Sequence, residues 1–279
     1  MTRLAVLGSP IAHSKSPALH RAAYQVLGLD WRYEAVEVTG ATLASFIDSR
    51  DETWRGLSLT MPLKRDVLAL VRSTDDTASL TGAANTLLFD RTGGELALRG
   101  FNTDVYGVTE AFREAGVDAL DRVQILGAGA TAASVLVAVR ALGARNALVS
   151  VRTPSKAAEL VALGEAIGVT VTVRAFDEPE EAHDPYDAVI STIPGHAAHG
   201  LAFAERVRAS SVLFDVAYDP WPSQLATSWT AAGGSVISGL GMLLHQALAQ
   251  VRVFVGGTPD ATLPGEADVL AAMRAAIAR

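Results

Sequence analysis

The sequence of 279 residues contains no cysteine. Disulfides, thiolate metal sites and cysteine nucleophiles are excluded, although that absence does not fix the redox compartment. Charge is sparse as well: 19% of residues are charged against 49% hydrophobic, a balance that suits a folded core and not a disordered chain. The net charge of −7 offers no basic face for a phosphate backbone, so no nucleic-acid partner is expected. No uninterrupted apolar run is long enough to span a bilayer. The start of the chain, Met1 to Gly8, is too short for a signal peptide and lacks a cleavage signature, which leaves a cytoplasmic protein without a membrane partner as the expectation. Aromatic residues make up 6%, and the four tryptophans, at 31, 54, 221 and 229, are scattered as core or cleft packing would scatter them. Six histidines are present, but no clustered acid completes a ligand set around His196 and His199 or around His13 and His20. No metal is expected, and these histidines read as solvated loop residues.

What is present centres on one turn, Gly127-Ala128-Gly129-Ala130-Thr131-Ala132. The apolar run 122–126 before it reads as a buried strand, and the Ala-, Val- and Leu-rich segment 131–142 after it reads as a helix. Strand, G-x-G-x-x-A and helix together mark a dinucleotide-binding turn. Gly127 allows the tight turn, Gly129 admits a pyrophosphate, Ala132 lets helix and strand approach, and the helix N-terminus offers N–H groups to the phosphates. The next strand, 146–151, ends without the acid that would hold a ribose 2′-hydroxyl. Arg152, Thr153 and Lys156 stand there instead, and no acid appears before Glu159. A guanidinium suits a 2′-phosphate, so the cofactor reads as NADP(H) and not as NAD; plain surface charge is the weaker account. From Asp121 onward, strands and helices alternate: 122–126, 131–142, 146–151, 155–167, 169–174, then strands at 187–190, 211–215 and 235–237. That alternation predicts a parallel doubly wound sheet. The loops Ser191 to Gly195 and Val216 to Pro222 would surround the cofactor.

The N-terminal part mixes its elements. A strand over 4–7 leads into Ser9 to Pro17, where Ser16 reads as an N-cap before Pro17 and a helix over 17–27. Ser14 and Ser16 could hold an anion beside that helix start or could serve only to cap and turn. Further expectations are a strand at 31–38, a helix at 41–50, a strand at 55–60, a helix at 64–71, and a hairpin joining 86–89 to 95–99. A helix then runs from the Asn102-Thr103-Asp104 stretch to Ala115. Thr60 and Lys64 flank a strand C-terminus, where open α/β sheets place ligands. A long apolar helix from Gly241 to about Val255 carries Gln246, and a last amphipathic helix spans about 266–278. The length suits one large or two modest domains.

Six segments in order carry a strong resemblance to the shikimate dehydrogenase family: Ser9 to Pro17, Leu59 to Lys64, Gly82 to Thr86, Asn102 to Asp104, Gly127 to Thr131, and Gly239 to Gln246. The resemblance implies an α/β fold with an N-terminal α/β substrate domain (1–101, completed by 239–279). It implies a Rossmann-type doubly wound NADP-binding domain (102–238), with the site in the cleft. It implies that Ser14 and Ser16 hold the shikimate carboxylate, that Thr60, Asn85 and Gln246 bond the ring hydroxyls, and that Tyr218 borders the substrate. Lys64 and Asp104 would be the catalytic pair; without the family they read as a cap and a surface charge. Gly127, Ala128, Gly129, Ala130, Thr131, Arg152, Thr153, Lys156, Thr192, Val216 and Gly239 would hold the cofactor, the last two at the nicotinamide end. Two departures stand out: Arg21 follows His20 where many members have Asn, and Val151-Arg152-Thr153 replaces the common Asn-Arg-Thr. The implied activity is reversible NADPH-dependent reduction of 3-dehydroshikimate to shikimate in aromatic amino-acid biosynthesis. Its rivals are a quinate/shikimate dehydrogenase using NAD and a catalytically silent metabolite sensor. The expected partner is the small-molecule substrate, with the chain a monomer or a homodimer.

Overall fold

The computed structural model describes residues 1–178, 186–193 and 200–278. In it the chain divides into two units, residues 1–103 with 243–279 and residues 104–242. The first begins with β1 (Thr2–Gly8), whose Leu4, Ala5 and Leu7 have no exposure, as befits a strand covered on both faces. α1 (Ser16–Val26) returns the chain to β2 (Trp31–Glu37), and α2 (Gly40–Asp48) leads to β3 (Trp54–Leu59). Both strands flank β1 in parallel. α3 (Leu63–Asp66) and a 3-10 turn, Val67–Ala69, occupy the expected helix at 64–71. Next come β4 (Ser73–Thr74), α4 (Asp76–Thr81) and the antiparallel pair β5 (Thr86–Asp90) and β6 (Ala97–Phe101). The sheet order is β2-β1-β3-β5-β6-β4. Ala5, Leu7, Leu43, Leu57, Leu63 and Leu87 pack in its core.

The second unit opens with α5 (Asp104–Glu114) and continues through β7 (Arg122–Leu126), α6 (Ala130–Ala141), β8 (Asn146–Val151), α7 (Ala158–Ile167) and β9 (Thr170–Ala175). β10 (Ala188–Ser191), α8 (Glu205–Ser210), β11 (Val212–Asp215), α9 (Gln224–Ala231) and β12 (Val236–Ser238) complete it. All pairings are parallel in the order β12-β11-β10-β7-β8-β9, the doubly wound sheet expected from the alternation. Val123, Ile125, Val139 and Val149 pack on one face; Leu126, Val189, Leu213 and Trp229 pack on the other. The strand order reverses between β7 and β10, and ligands of such sheets sit outside the carboxyl ends there. Two helices end the chain: α10 (Gly239–Gly256), which passes into the first unit at Leu243, and α11 (Glu266–Ile277). Among the described residues, no helix is long and apolar enough to cross a membrane.

The structure corrects three local readings. Ser16 is not a side-chain N-cap: it is the first residue of α1, and the Oγ of Ser14 accepts its N–H at 3.3 Å. Pro17 lacks an N–H, so an orphan donor of this helix start is met from the turn before it. His20 is no solvated loop residue, because it lies inside α1 with no exposure. Trp221 is 38% exposed, whereas Trp54 and Trp229 are buried as expected. The loop residues Pro194 and Gly195, with His196 and His199, lie outside the described residues.

Candidate functional site

In the second unit the turn after β7 is built for glycine. Gly127 has φ +105°, and a Cβ there would lie 2.7 Å from Thr192 Oγ1 and 3.0 Å from Ile193 Cγ2. Its N–H donates to the Ser150 carbonyl at 2.9 Å, tying the turn to the end of β8. Thr192 clamps the end of β7 from the other side, donating Oγ1–H to the Leu126 carbonyl at 2.7 Å and its N–H to the same oxygen at 3.0 Å. Gly129 differs: it is exposed, its backbone is extended, and a Cβ on it would meet nothing within 4 Å. It precedes α6, whose N-terminus no side chain caps. Ala132, with no exposure, lets α6 sit close on the sheet. Gly127 to Thr131 thus form a turn with an exposed glycine at a helix N-terminus, the form that accepts a pyrophosphate.

Arg152, Thr153 and Lys156 are all exposed just past β8, with the Lys156 N–H on the Thr153 carbonyl at 3.0 Å. Val216, after β11, donates its N–H to the Ser191 carbonyl at 3.0 Å. Gly239 presses on the same residue: a Cβ there would lie 2.5 Å from the Val216 carbonyl carbon. Behind Val216, the buried Asp215 accepts from Ser223 Oγ at 2.6 Å and from the Ala217 N–H at 3.1 Å. Burial pushes its carboxyl up, and those hydrogen bonds oppose the shift. Tyr218 is half-buried; desolvation first, then the neighbouring Asp219, raises its phenol. Asp104 is buried at the first residue of α5.

In the first unit, polar side chains gather at the carboxyl ends of β1 and β3. Asn85, 2% exposed, is the hub. Its Oδ1 accepts from the Thr103 N–H and from Thr86 Oγ1, each at 2.9 Å, while its Nδ2 donates to Thr103 Oγ1 at 2.9 Å and to Gln246 Oε1 at 3.3 Å. Gln246 on α10 donates in turn to the Leu243 carbonyl at 2.8 Å. The Asn85 carbonyl accepts the Leu59 N–H at 2.7 Å, and the Lys64 carbonyl accepts the Ala84 N–H at 2.8 Å. These bonds set the backbones of Thr60 and Lys64 beside the Asn85 strand. Thr60 and Lys64 are half-buried. Ser14 is half-buried and Ser16 is 6% exposed, both at the start of α1.

Residues 6–87 match the family model described as shikimate dehydrogenase substrate binding domain. A shikimate dehydrogenase (NADP(+)) of Methanocella arvoryzae is 34% identical, over 93% of this chain and 95% of that protein. The chain belongs to the shikimate dehydrogenase family. Among solved structures, the shikimate dehydrogenase of Mycobacterium tuberculosis superposes with a TM-score of 0.85 at 40% identity, covering 99% of this chain and 100% of that one. The shikimate 5-dehydrogenase of Thermus thermophilus, solved in complex with NADP(H) and shikimate, gives 0.79 at 30% identity, covering 99% and 100%.

For a shikimate dehydrogenase family member, NADP is the cofactor to test against the residues present, and they fit it. Among the described residues the exposed Gly129 leaves room for phosphate oxygens, and the only charged side chains between β8 and Glu159 are cationic. Sequence reasoning missed two residues of the first unit's cluster. Thr103 was legible only as a helix start, yet it holds both ends of the Asn85 amide. Gln250 drew no notice, although its Nε2 donates to the Asn85 carbonyl at 3.0 Å. Its place four residues after Gln246 on one helix was the available signal.

Proposed function

We propose that this chain is an NADP-dependent shikimate dehydrogenase, which interconverts 3-dehydroshikimate with NADPH and shikimate with NADP⁺ on the route to chorismate and the aromatic amino acids. What carries the reading is the length of the likeness: it runs through both units and not through the dinucleotide-binding unit alone, whose fold hosts many chemistries. In this reading the first unit binds substrate and the second binds the dinucleotide.

Reducing the ketone needs a hydride on carbon and a proton on oxygen. NADPH, when bound, supplies the hydride. Lys64 donates the proton and stabilises the alkoxide charge as it develops; Asp104 is its partner in catalysis. Ser14 and Ser16 take the carboxylate, which suits hydroxyls at a helix start. Thr60, Asn85 and Gln246 orient the ring through its hydroxyls, and Tyr218 borders it. Gly127, Ala128, Gly129, Ala130 and Thr131 receive the pyrophosphate. Arg152, Thr153 and Lys156 take the 2′-phosphate, Thr192 also holds the cofactor, and Val216 and Gly239 lie toward the nicotinamide end. We place the enzyme in the cytoplasm, as a monomer or homodimer.

Initial rates of oxidation of shikimate and of quinate, each with NADP⁺ and NAD⁺, test the proposal. A high kcat/KM for shikimate with NADP⁺ alone is expected. Comparable rates with quinate or NAD⁺ would replace it with the broader dehydrogenase, and no turnover with any pair would leave a metabolite sensor.

A further inference from the structure

Behind the Asn85 cluster, still within the first unit, lies a second set of buried polar groups that the reaction does not use. His20 on α1 has no exposure, and its ring stacks on that of Tyr33, with centroids 4.0 Å apart and planes at 6°. Its Nδ1 lies 3.1 Å from the Tyr24 hydroxyl and its Nε2 lies 3.2 Å from Gln250 Oε1. Ser58 Oγ donates to the same Oε1 at 2.7 Å and accepts from the Tyr33 hydroxyl at 2.6 Å. On the other side of the amide, Gln250 Nε2 donates to the Asn85 carbonyl at 3.0 Å.

The directions of these bonds follow from donor chemistry. An amide oxygen only accepts, so His20 Nε2 carries the ring proton. Nδ1 is then an acceptor and takes the Tyr24 hydroxyl. The ring is neutral with both nitrogens used, in keeping with burial that lowers its pKa to about 3. Two donors converge on Gln250 Oε1, from His20 and from Ser58. Flipping the amide would set its oxygen against the Asn85 carbonyl, which can only accept; His20 could follow by changing tautomer and Ser58 by turning its hydroxyl, but the Asn85 bond has no substitute. The Gln250 amide therefore has one orientation, fixed by the Asn85 carbonyl, with its oxygen held by donors from α1 and β3.

We infer that His20 and Gln250 are positioning residues for substrate: they hold the Asn85 backbone and the α10 turn bearing Gln246 in the register that presents both side chains. The Asn85 carbonyl also takes the Leu59 N–H, one residue before Thr60, so the same anchor reaches the end of β3. Gln246 and Gln250 are four residues apart on α10 and share a face. A packing role alone would not need this wiring, because apolar side chains of similar volume fill such a space as stably as a polar network does. The inference rests on the reading of Asn85 and Gln246 as substrate contacts.

Gln250→Glu separates positioning from packing. Glutamate keeps the shape and the acceptor for His20 and Ser58 but, as the carboxylate, sets an oxygen against the Asn85 carbonyl; Gln250→Met, which has no donor in any protonation state, is measured with it and is expected to behave alike. Shikimate KM should rise about tenfold or more while NADP⁺ KM stays within about twofold. An unchanged shikimate KM, or a loss of kcat alone with both KM values intact, overturns the inference. Gln246→Leu is measured beside it. If that variant leaves shikimate KM unchanged, the substrate reading itself is wrong and takes this inference with it. If Gln246→Leu raises KM and Gln250→Glu does not, only the positioning role falls. Nitrogen-15 NMR of the His20 ring in the wild-type enzyme makes the test independent of any variant's folding: the neutral Nε2–H tautomer is expected at pH 7, and the Nδ1–H tautomer or an imidazolium refutes the wiring.

Discussion

Gly129→Ala asks whether the turn after β7 holds a pyrophosphate. Most glycine substitutions confound binding with folding, and this one does not. The residue has φ −87° and ψ −174°, which alanine adopts without strain, and among the described residues its Cβ would meet no atom within 4 Å beyond its chain neighbours. Such a replacement gains about 0.4–1 kcal/mol through the unfolded chain, but Gly129 is the N-cap of α6, where alanine is worse than glycine by a similar amount, so the two offset. The melting temperature should thus move by no more than about 2 °C. The same methyl occupies the space a phosphate oxygen would use, and pushing the phosphate off two backbone N–H groups sacrifices charge-assisted bonds of about 1.5–3 kcal/mol each. NADPH affinity should fall by about 10²-fold or more. Fluorescence titration of NADPH reads the affinity, and differential scanning calorimetry reads the stability. Unchanged affinity in a folded variant would refute the cradle. A drop in stability of more than about 1 kcal/mol would refute the open-space argument. Gly127→Ala is the contrast: with φ +105° and Thr192 Oγ1 at 2.7 Å from the new methyl, it should lose stability and affinity together.

Three further outcomes follow from the same geometry. Lys64→Ala should lower kcat by about 10²–10⁴-fold, as measured by initial rates, and leave the NADPH dissociation constant nearly unchanged. Arg152→Ala should raise NADP⁺ KM about 10–100-fold while barely moving NAD⁺ KM, since only the former carries a 2′-phosphate; equal effects on both would reject the assignment. His20 titrates at about 3 when folded and near 6.5 when unfolded. Its depressed value costs nothing above pH 6.5, and stability is lost as pH falls from there toward 3, about 2–3 kcal/mol by pH 4.5. Urea denaturation across that range should show the loss in the wild type and a flatter profile in His20→Gln.

The second unit was legible because its elements are written locally. Short apolar runs such as Val123 to Leu126 and Ala147 to Val151 are buried strands, the glycine turn announces α6, and α6 and α7 are rich in Ala, Leu and Val. The elements missed include short helices whose clearest mark in the sequence is an N-cap. α4 reads DTASLT, a polar and partly β-branched stretch, and it forms around the Asp75 carboxylate, which accepts the Ala78 N–H at 2.7 Å. α9 follows Pro220 and Pro222, and only Ser223 marks its start, by accepting the Ala226 N–H at 3.0 Å. The candidate site divides in the same way. Thr60, Asn85 and Gln246 stand in recognisable segments, but the bond from Gln250 to Asn85 spans 165 positions and leaves no periodic trace in the chain. His20 misled for a related reason: an isolated histidine in a serine- and proline-rich neighbourhood looks wet until Tyr33 is known to lie on it.

The contact between Gly239 and Val216 bears on how this enzyme can diverge. Any side chain at 239 would have to displace the backbone at the end of β11, so no single substitution there is small. Val216 contributes main chain to that contact, while its half-buried side chain packs on the core of the second unit and tolerates apolar exchange of similar size. Drift in this neighbourhood is thereby channelled to one position. A lineage adapting to a different dinucleotide or a bulkier ring would accumulate its changes at 216 while 239 stays silent, and a library randomised at both positions should return active clones varied only at the first.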